Sequence, residues 1–132
     1  MQSVTSNAVA RAFGNWVTIY DCGTGFIKGC RTPMGTFLRI RMSGAFGTFT
    51  STQYLPNGYL LYVIPEGWRP SSTYSPNRFL IAVDTTSVRL PCNIDINGID
   101  GGMRLYFEGN TPIGGGVDAV SGLYCDALLL LQ

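Results

Sequence analysis

A seam at Gly14-Asn15 divides this chain into two kinds of pattern, and it leaves few folds open. Ahead of it, Val4-Thr5-Ser6-Asn7-Ala8-Val9-Ala10-Arg11-Ala12-Phe13 carries the signals of one short helix, and behind it come only short period-two runs separated by turn residues. Thr5 or Ser6 can cap the helix start, and Gly14 can take the left-handed conformation that ends it. A helix of about two or three turns does not hold alone in water. Its apolar residues Val9, Ala12 and Phe13 therefore need a partner, and we read that partner as the same helix in other copies, with Val9 and Phe13 at the interface.

From Trp16 onward, strands are predicted over 16–20, 25–31, 36–43, 45–50, 59–64, 78–84, 87–90, 92–96 and 103–108, with a last one within 123–131. In 36–43, Leu38, Ile40 and Met42 point one way while Arg39 and Arg41 point the other, so one face is core and the other is wet or paired. Cys92, Ile94 and Ile96 alternate with Asn93 and Asp95, and Met103, Leu105 and Phe107 alternate with Arg104, Tyr106 and Glu108. These two runs are expected to form a hairpin about Asn97-Gly98-Ile99-Asp100-Gly101-Gly102. Asp95, Asn97 and Asp100 are also oxygen ligands at close spacing, faintly like a calcium loop, but the spacing does not match the EF-hand pattern and no terminal bidentate Glu follows, so the hairpin reading is preferred. Gly114-Gly115-Gly116 has no following Lys-Ser/Thr and reads as a flexible surface loop, not a phosphate loop. About ten short strands with frequent turns describe an all-β fold, an antiparallel β-sandwich or jelly-roll head. It would occupy residues 15–132, preceded by a short N-terminal α-helix, the neck, in residues 1–14.

Composition narrows the function. The 132 residues suffice for one domain with one core. With 9 Lys+Arg against 8 Asp+Glu and only 13% charged residues, there is no basic field for nucleic acid and no basic amphipathic face for a membrane. Yet 45% of residues are hydrophobic, more than a small domain readily buries, which leaves a subunit interface or an exposed binding face as the outlet, and the subunit interface is preferred. Histidine is absent, which removes Ser-His-Asp and Cys-His catalysis and every His-containing zinc site; no metal and no cofactor are expected. Cys22, Cys30, Cys92 and Cys125 include no C-x-x-C pair. Cys22 and Cys30 can bridge a hairpin if oxidised, whereas Cys92 and Cys125 sit in apolar alternation; free thiols are the preferred reading. The N-terminus lacks the pattern of a signal peptide, and 127–132 is too short to span a membrane. Met1-Gln2 leads straight into the capped helix, as in a piece of a longer chain whose upstream part holds what the neck attaches to.

Four segments resemble the C-terminal head domains of bacteriophage tail fibres and baseplate receptor-binding proteins. Ser3 to Phe13 looks like a "VTSNAV-x-x-A" helix that precedes such heads, and Gly25-Phe26-Ile27-Lys28 through Ile40 like their early strand pair. Ile64-Pro65-Glu66-Gly67-Trp68-Arg69-Pro70-Ser71-Ser72 is similar to a "LPEGYRPS" loop, and Cys92-Asn93-Ile94-Asp95-Ile96-Asn97-Gly98 with 103–107 to a "v-x-I-x-x-n-G-x-v-x-I" hairpin. The chain departs from the pattern in its extra cysteines, in Tyr59-Leu60-Leu61-Tyr62-Val63-Ile64 and in the long 117–132 ending. The resemblance implies a homotrimer with a helical neck joined to an upstream tail fibre shaft. It also implies a head on the virion at the phage tail tip, or prophage-encoded and made in the bacterial cytoplasm, that touches a host cell-surface receptor, often a saccharide.

Trp68, Arg69 and Tyr74 in a Pro- and Ser-rich loop can form a sugar platform, with Tyr54, Asn57, Asn77 and Arg78 as contacts from neighbouring loops. The structural alternative has Trp68 covering the end of the sandwich, Arg69 paired with a carboxylate, and the others in ordinary turn chemistry. A polysaccharide depolymerase would need two carboxylates flanking a groove; Asp84, Asp95, Asp100 and Asp118 are available, but each falls at a strand end or turn where Asp is common. The expected function is receptor binding without turnover, and the chain is not expected to be an enzyme. A bacterial trimeric lectin-like or tumour-necrosis-factor-like head that binds a protein partner shares the same sandwich physics, and genomic neighbourhood separates the two.

Overall fold

The computed structural model describes residues 5–8, 14–73, 75–107 and 116–132. Val9, Phe13 and Tyr74 lie outside the described residues. Of residues 1–14, read from the sequence as a neck, Ser6 to Ala8 are helical, and the Ala8 amide donates to Thr5 Oγ1 at 3.1 Å, which is the expected cap. Gly14 takes φ +106°, outside the reach of most side-chain-bearing residues.

The remainder is antiparallel β, as the alternation predicts. The strands are β1 (Val17–Asp21), β2 (Phe26–Thr32), β3 (Gly35–Gly44), β4 (Gln53–Pro56), β5 (Tyr59–Val63), β6 (Asn77–Thr85), β7 (Arg89–Ile96), β8 (Gly102–Tyr106) and β9 (Gly116–Leu131). They form one hydrogen-bonded sheet in the order β1-β2-β3-β9-β6-β7-β8-β5, with β4 pairing β9. The sheet curls on itself so that its two halves face each other. Its ends meet through side chains: Tyr20 of β1 lies 4.5 Å from Tyr62 of β5 and 5.2 Å, edge-on, from Phe46. Burial pushes the hydroxyl pKa of both tyrosines up, and Tyr20 accepts the Gly47 amide at 3.0 Å.

The core lies between the halves. Ile27, Leu38 and Ile40 come from one side and Ile81, Val83, Ile94, Ile96, Met103 and Leu105 from the other, all buried. The expected β7–β8 hairpin forms, pairing Ile96 with Met103 and Ile94 with Leu105. Its turn engages two of the three residues that looked like calcium ligands, and the third, Asp95, is held by Arg78. Asn97 Oδ1 accepts the Ile99 and Asp100 amides at 2.7 and 3.2 Å, and Asp100 Oδ1 accepts the Gly102 amide at 2.7 Å.

Three expectations need correction. The predicted strand 45–50 is a tight turn in which Phe46 and Phe49 exchange amide–carbonyl bonds of 3.0 Å and both point into the core. Apolar residues three apart cannot share a face of a strand, but both ends of a two-residue turn can point inward. Second, 87–90 and 92–96 merge into β7 through Pro91, which pairs with Ala82. Among the described residues the β7–β8 register begins only at Asn93, so Pro91 has a ladder partner on its β6 side alone, where a missing N–H is tolerated if it points away from β6. Third, the last strand begins at Gly116, where a loop was expected. One edge of β9 carries β4 and then β3, and the other carries β6; the register shifts around Ala119, whose φ is +53°, on the β4 side and at Ser121 on the β6 side.

Candidate functional site

The residues nominated from the sequence fall into two groups at opposite ends of β5, a strand of roughly 17 Å at about 3.3 Å per residue. At one end the Trp68 indole, packed against the core, lies over Gly29, with the Arg31 guanidinium 3.8 Å from its ring centroid. A Cβ on Gly29 would stand 2.5 Å from the ring, so only glycine admits the indole. Arg69 meets no carboxylate among the described residues; its Nε donates to the Ile64 carbonyl at 2.7 Å and its Nη1 to the Ile99 carbonyl at 3.2 Å, tying its loop to the β7–β8 turn. Asn77 Oδ1 accepts the Gln132 amide at 2.9 Å, and Arg78 holds Asp95 by two bonds of 2.6 and 2.9 Å. At the other end Asn57 Oδ1 accepts the Phe107 amide at 2.8 Å, and Tyr54, 52% exposed, lies against Gly116. Asn57, Arg69 and Asn77 thus hold backbone segments in place, and Arg78 ties β6 to β7.

The open surface lies elsewhere, on the outward side of β2, β3, β9 and β6. The registers pair Lys28 with Arg39, Phe26 with Arg41, Arg41 with Asp126, and Ser43 with Tyr124. Three adjoining clefts run across these residues. The first, of about 240 Å³, is lined by Ser6, Trp16, Phe26, Lys28 and Arg39. Phe26 leads into a second, of about 400 Å³, which includes Thr24, Arg41 and Ser43. Arg41 leads into a third, of about 390 Å³, which reaches Arg89, Tyr124 and Asp126.

The charges there are unevenly matched. Arg39 Nη2 meets Asp126 at 2.6 Å, and Arg89 meets Asp84 at 2.7 Å while its guanidinium covers the Tyr124 ring at 4.8 Å. The Arg89 hydrogen bond holds the Asp84 carboxyl below, and Asp84 holds Arg89 above, its ordinary pKa. Lys28 sits 4.6 Å above the Phe26 ring, and neither it nor Arg41 forms an ion pair among the described residues. Directly opposed like charges such as Lys28 and Arg39 destabilise a sheet, by roughly 0.2–1 kcal/mol. Beside this cationic strip runs an apolar one: Cys30 and Phe37 are buried beneath Trp16, Leu128 and Leu130, and Trp16 Nε1 donates to the Ser6 carbonyl at 3.1 Å. Leu80, at 68% exposure, is an uncovered hydrophobe of β6. The outward placing of Arg39 and Arg41 was visible in the sequence; Phe26, Lys28 and Tyr124 joined them only through the register.

No protein-family model matches the sequence. No curated protein matches it either. Among solved structures, the chain is similar to the crystal structure of the head domain of phage bIL170, described with the receptor-binding domains of lactococcal phages. The similarity covers 89% of this chain and 98% of that one, with a TM-score of 0.51 and 6% sequence identity. At that identity what the two share is architecture, and the chain has the fold of a phage receptor-binding head domain.

Proposed function

We propose that the chain is the receptor-binding head of a phage tail, carried on the virion, and that it attaches to a saccharide on the host cell surface without chemical turnover. The observation that carries this reading is the fold shared with a phage head domain over nearly the whole of both chains. Shallow clefts that place aromatic rings beside charged groups suit a sugar, whose C–H faces stack and whose hydroxyls bond. The six aspartates are otherwise engaged: Asp84, Asp95 and Asp126 in ion pairs, Asp21, Asp100 and Asp118 as acceptors of nearby amides. That supports binding over hydrolysis, which asks for two carboxylates facing across a groove.

In this reading residues 1–14 form a neck leading from an upstream fibre shaft, and residues 15–132 form the head. Three copies associate through Val9 and Phe13 and through the apolar strip of Leu80, Leu128 and Leu130, leaving the cationic strip at the rim. Single shallow sites bind weakly, at about millimolar to high micromolar strength, and several copies on one virion turn this into firm attachment.

The test is adsorption of the fluorescently labelled chain to a panel of bacterial strains. Strain-selective adsorption that soluble surface polysaccharide from the bound strain competes away is expected. Adsorption abolished by protease treatment of the cells points instead to a protein receptor, and shortening of the polysaccharide on incubation overturns the binding-only reading.

A further inference from the structure

We propose that the outward face of β2 and β3 selects an anionic saccharide chain, with Lys28 and Arg41 meeting its negative groups and Phe26 and Trp16 forming its apolar floor. The proposal rests on the receptor-binding reading and adds the charge of the ligand to it.

Four observations converge. The register sets Lys28 opposite Arg39 and Phe26 opposite Arg41, so three cations and a ring occupy neighbouring places on one pleated face. Such places lie roughly 5 Å apart across strands and roughly 7 Å apart along one. Asp126, opposite Arg41 in the register, gives its ion pair to Arg39 at 2.6 Å, and neither the ammonium of Lys28 nor the guanidinium of Arg41 forms an ion pair among the described residues. Clefts meet at these side chains on both sides of Phe26, so an extended ligand can cross the ring and reach both cations. A sheet face that gathers more cations than carboxylates is less stable for it, and a string of negative groups laid across them restores the balance.

The same chemistry argues for a saccharide over a nucleic acid. The chain carries a net charge of only +1, and Asp126 stands within the strip, so no broad positive field exists for a densely charged duplex or strand. A glycan with negative groups spaced among neutral sugars fits an alternation of ring and cation better. Its charge can come from phosphodiester links or from uronate carboxylates, and the two are separated by choice of probe.

The experiment measures binding of the full chain to poly(glycerol phosphate), to polygalacturonate, to neutral dextran and to single-stranded DNA, at low and at physiological salt. Binding to one or both anionic polymers with loss at higher salt, and none to dextran, is expected. Whichever of the first two binds identifies the source of the charge. Lys28→Gln with Arg41→Gln is expected to weaken that binding roughly tenfold or more, because charge-assisted contacts are lost. The melting temperature should stay level or rise as the Lys28–Arg39 repulsion disappears, which separates a lost site from a lost fold. Dextran bound as well as the polyanions, DNA bound as well as the anionic polymers, or a double variant that binds like the parent overturns the proposal. Cell adsorption that the double variant leaves intact also overturns it while sparing the receptor reading. A chain that binds the anionic polymers through these two cations yet adsorbs to no cell overturns the receptor reading, and the charge preference of the surface stands.

Discussion

Single residues here are governed by what their neighbours leave open. The thiols show it: all four cysteines are free, but burial pushes Cys92 up to about 12 and Cys125 up to about 11, while Cys22 is exposed and Cys30 is covered on the outward face. With thiolate the reactive form, native protein at pH 8 should lose one thiol rapidly to a chromogenic disulfide, and unfolded protein all four. Mass mapping that finds Cys92 or Cys125 modified as fast as Cys22 would contradict this. Gly29 is the complementary case, a residue defined by what it lacks. Gly29→Ala puts a methyl 2.5 Å from the Trp68 ring and must displace the indole or the strand. We expect a loss of about 1–3 kcal/mol in urea denaturation and a red shift of the tryptophan emission as the ring moves toward water.

Elements form where local pattern and partner agree, and the misread ones lacked one or the other. β3 was legible because Leu38, Ile40 and Met42 alternate cleanly with Arg39 and Arg41, and the β7–β8 hairpin because its turn is rich in Asn, Asp and Gly. β4 was not, since it has four residues, one of them Pro56, and turns only Leu55 fully into the core. Its existence depends on β9 running alongside, a fact about pairing that four residues cannot announce. The Phe46–Phe49 turn was hidden for a related reason: its aromatic content resembles a strand, and only the spacing of three betrays it. Because both rings are sealed in the core, Phe49→Ala should cost about 3–5 kcal/mol, seen as a lower urea midpoint with little change in slope. A cost below about 1 kcal/mol would mean the core closes over the gap. The surface proposed for ligand was half legible in the same way, since alternation announced two outward arginines but not what stands across the strand from them.

At the scale of the whole molecule, the surplus of apolar residues returns as an uncovered strip. If it is where copies meet, the 14.3 kDa chain should show three times that mass by light scattering at tens of micromolar, and Leu80→Asp, at an exposed position, should shift it toward monomer without unfolding it. A parent chain that is monomeric at that concentration rules the assembly out. The strand order has a different reach. β9 knits β3, β4 and β6 together, yet it is made last of the nine. During synthesis the edge of β3 therefore waits, its amides and carbonyls unpaired, until the strands between it and β9, and then β9 itself, have left the ribosome. An edge of that kind invites pairing between nascent chains, so the yield of folded head depends on how quickly the closing strand arrives and on how far apart neighbouring ribosomes keep their unfinished products.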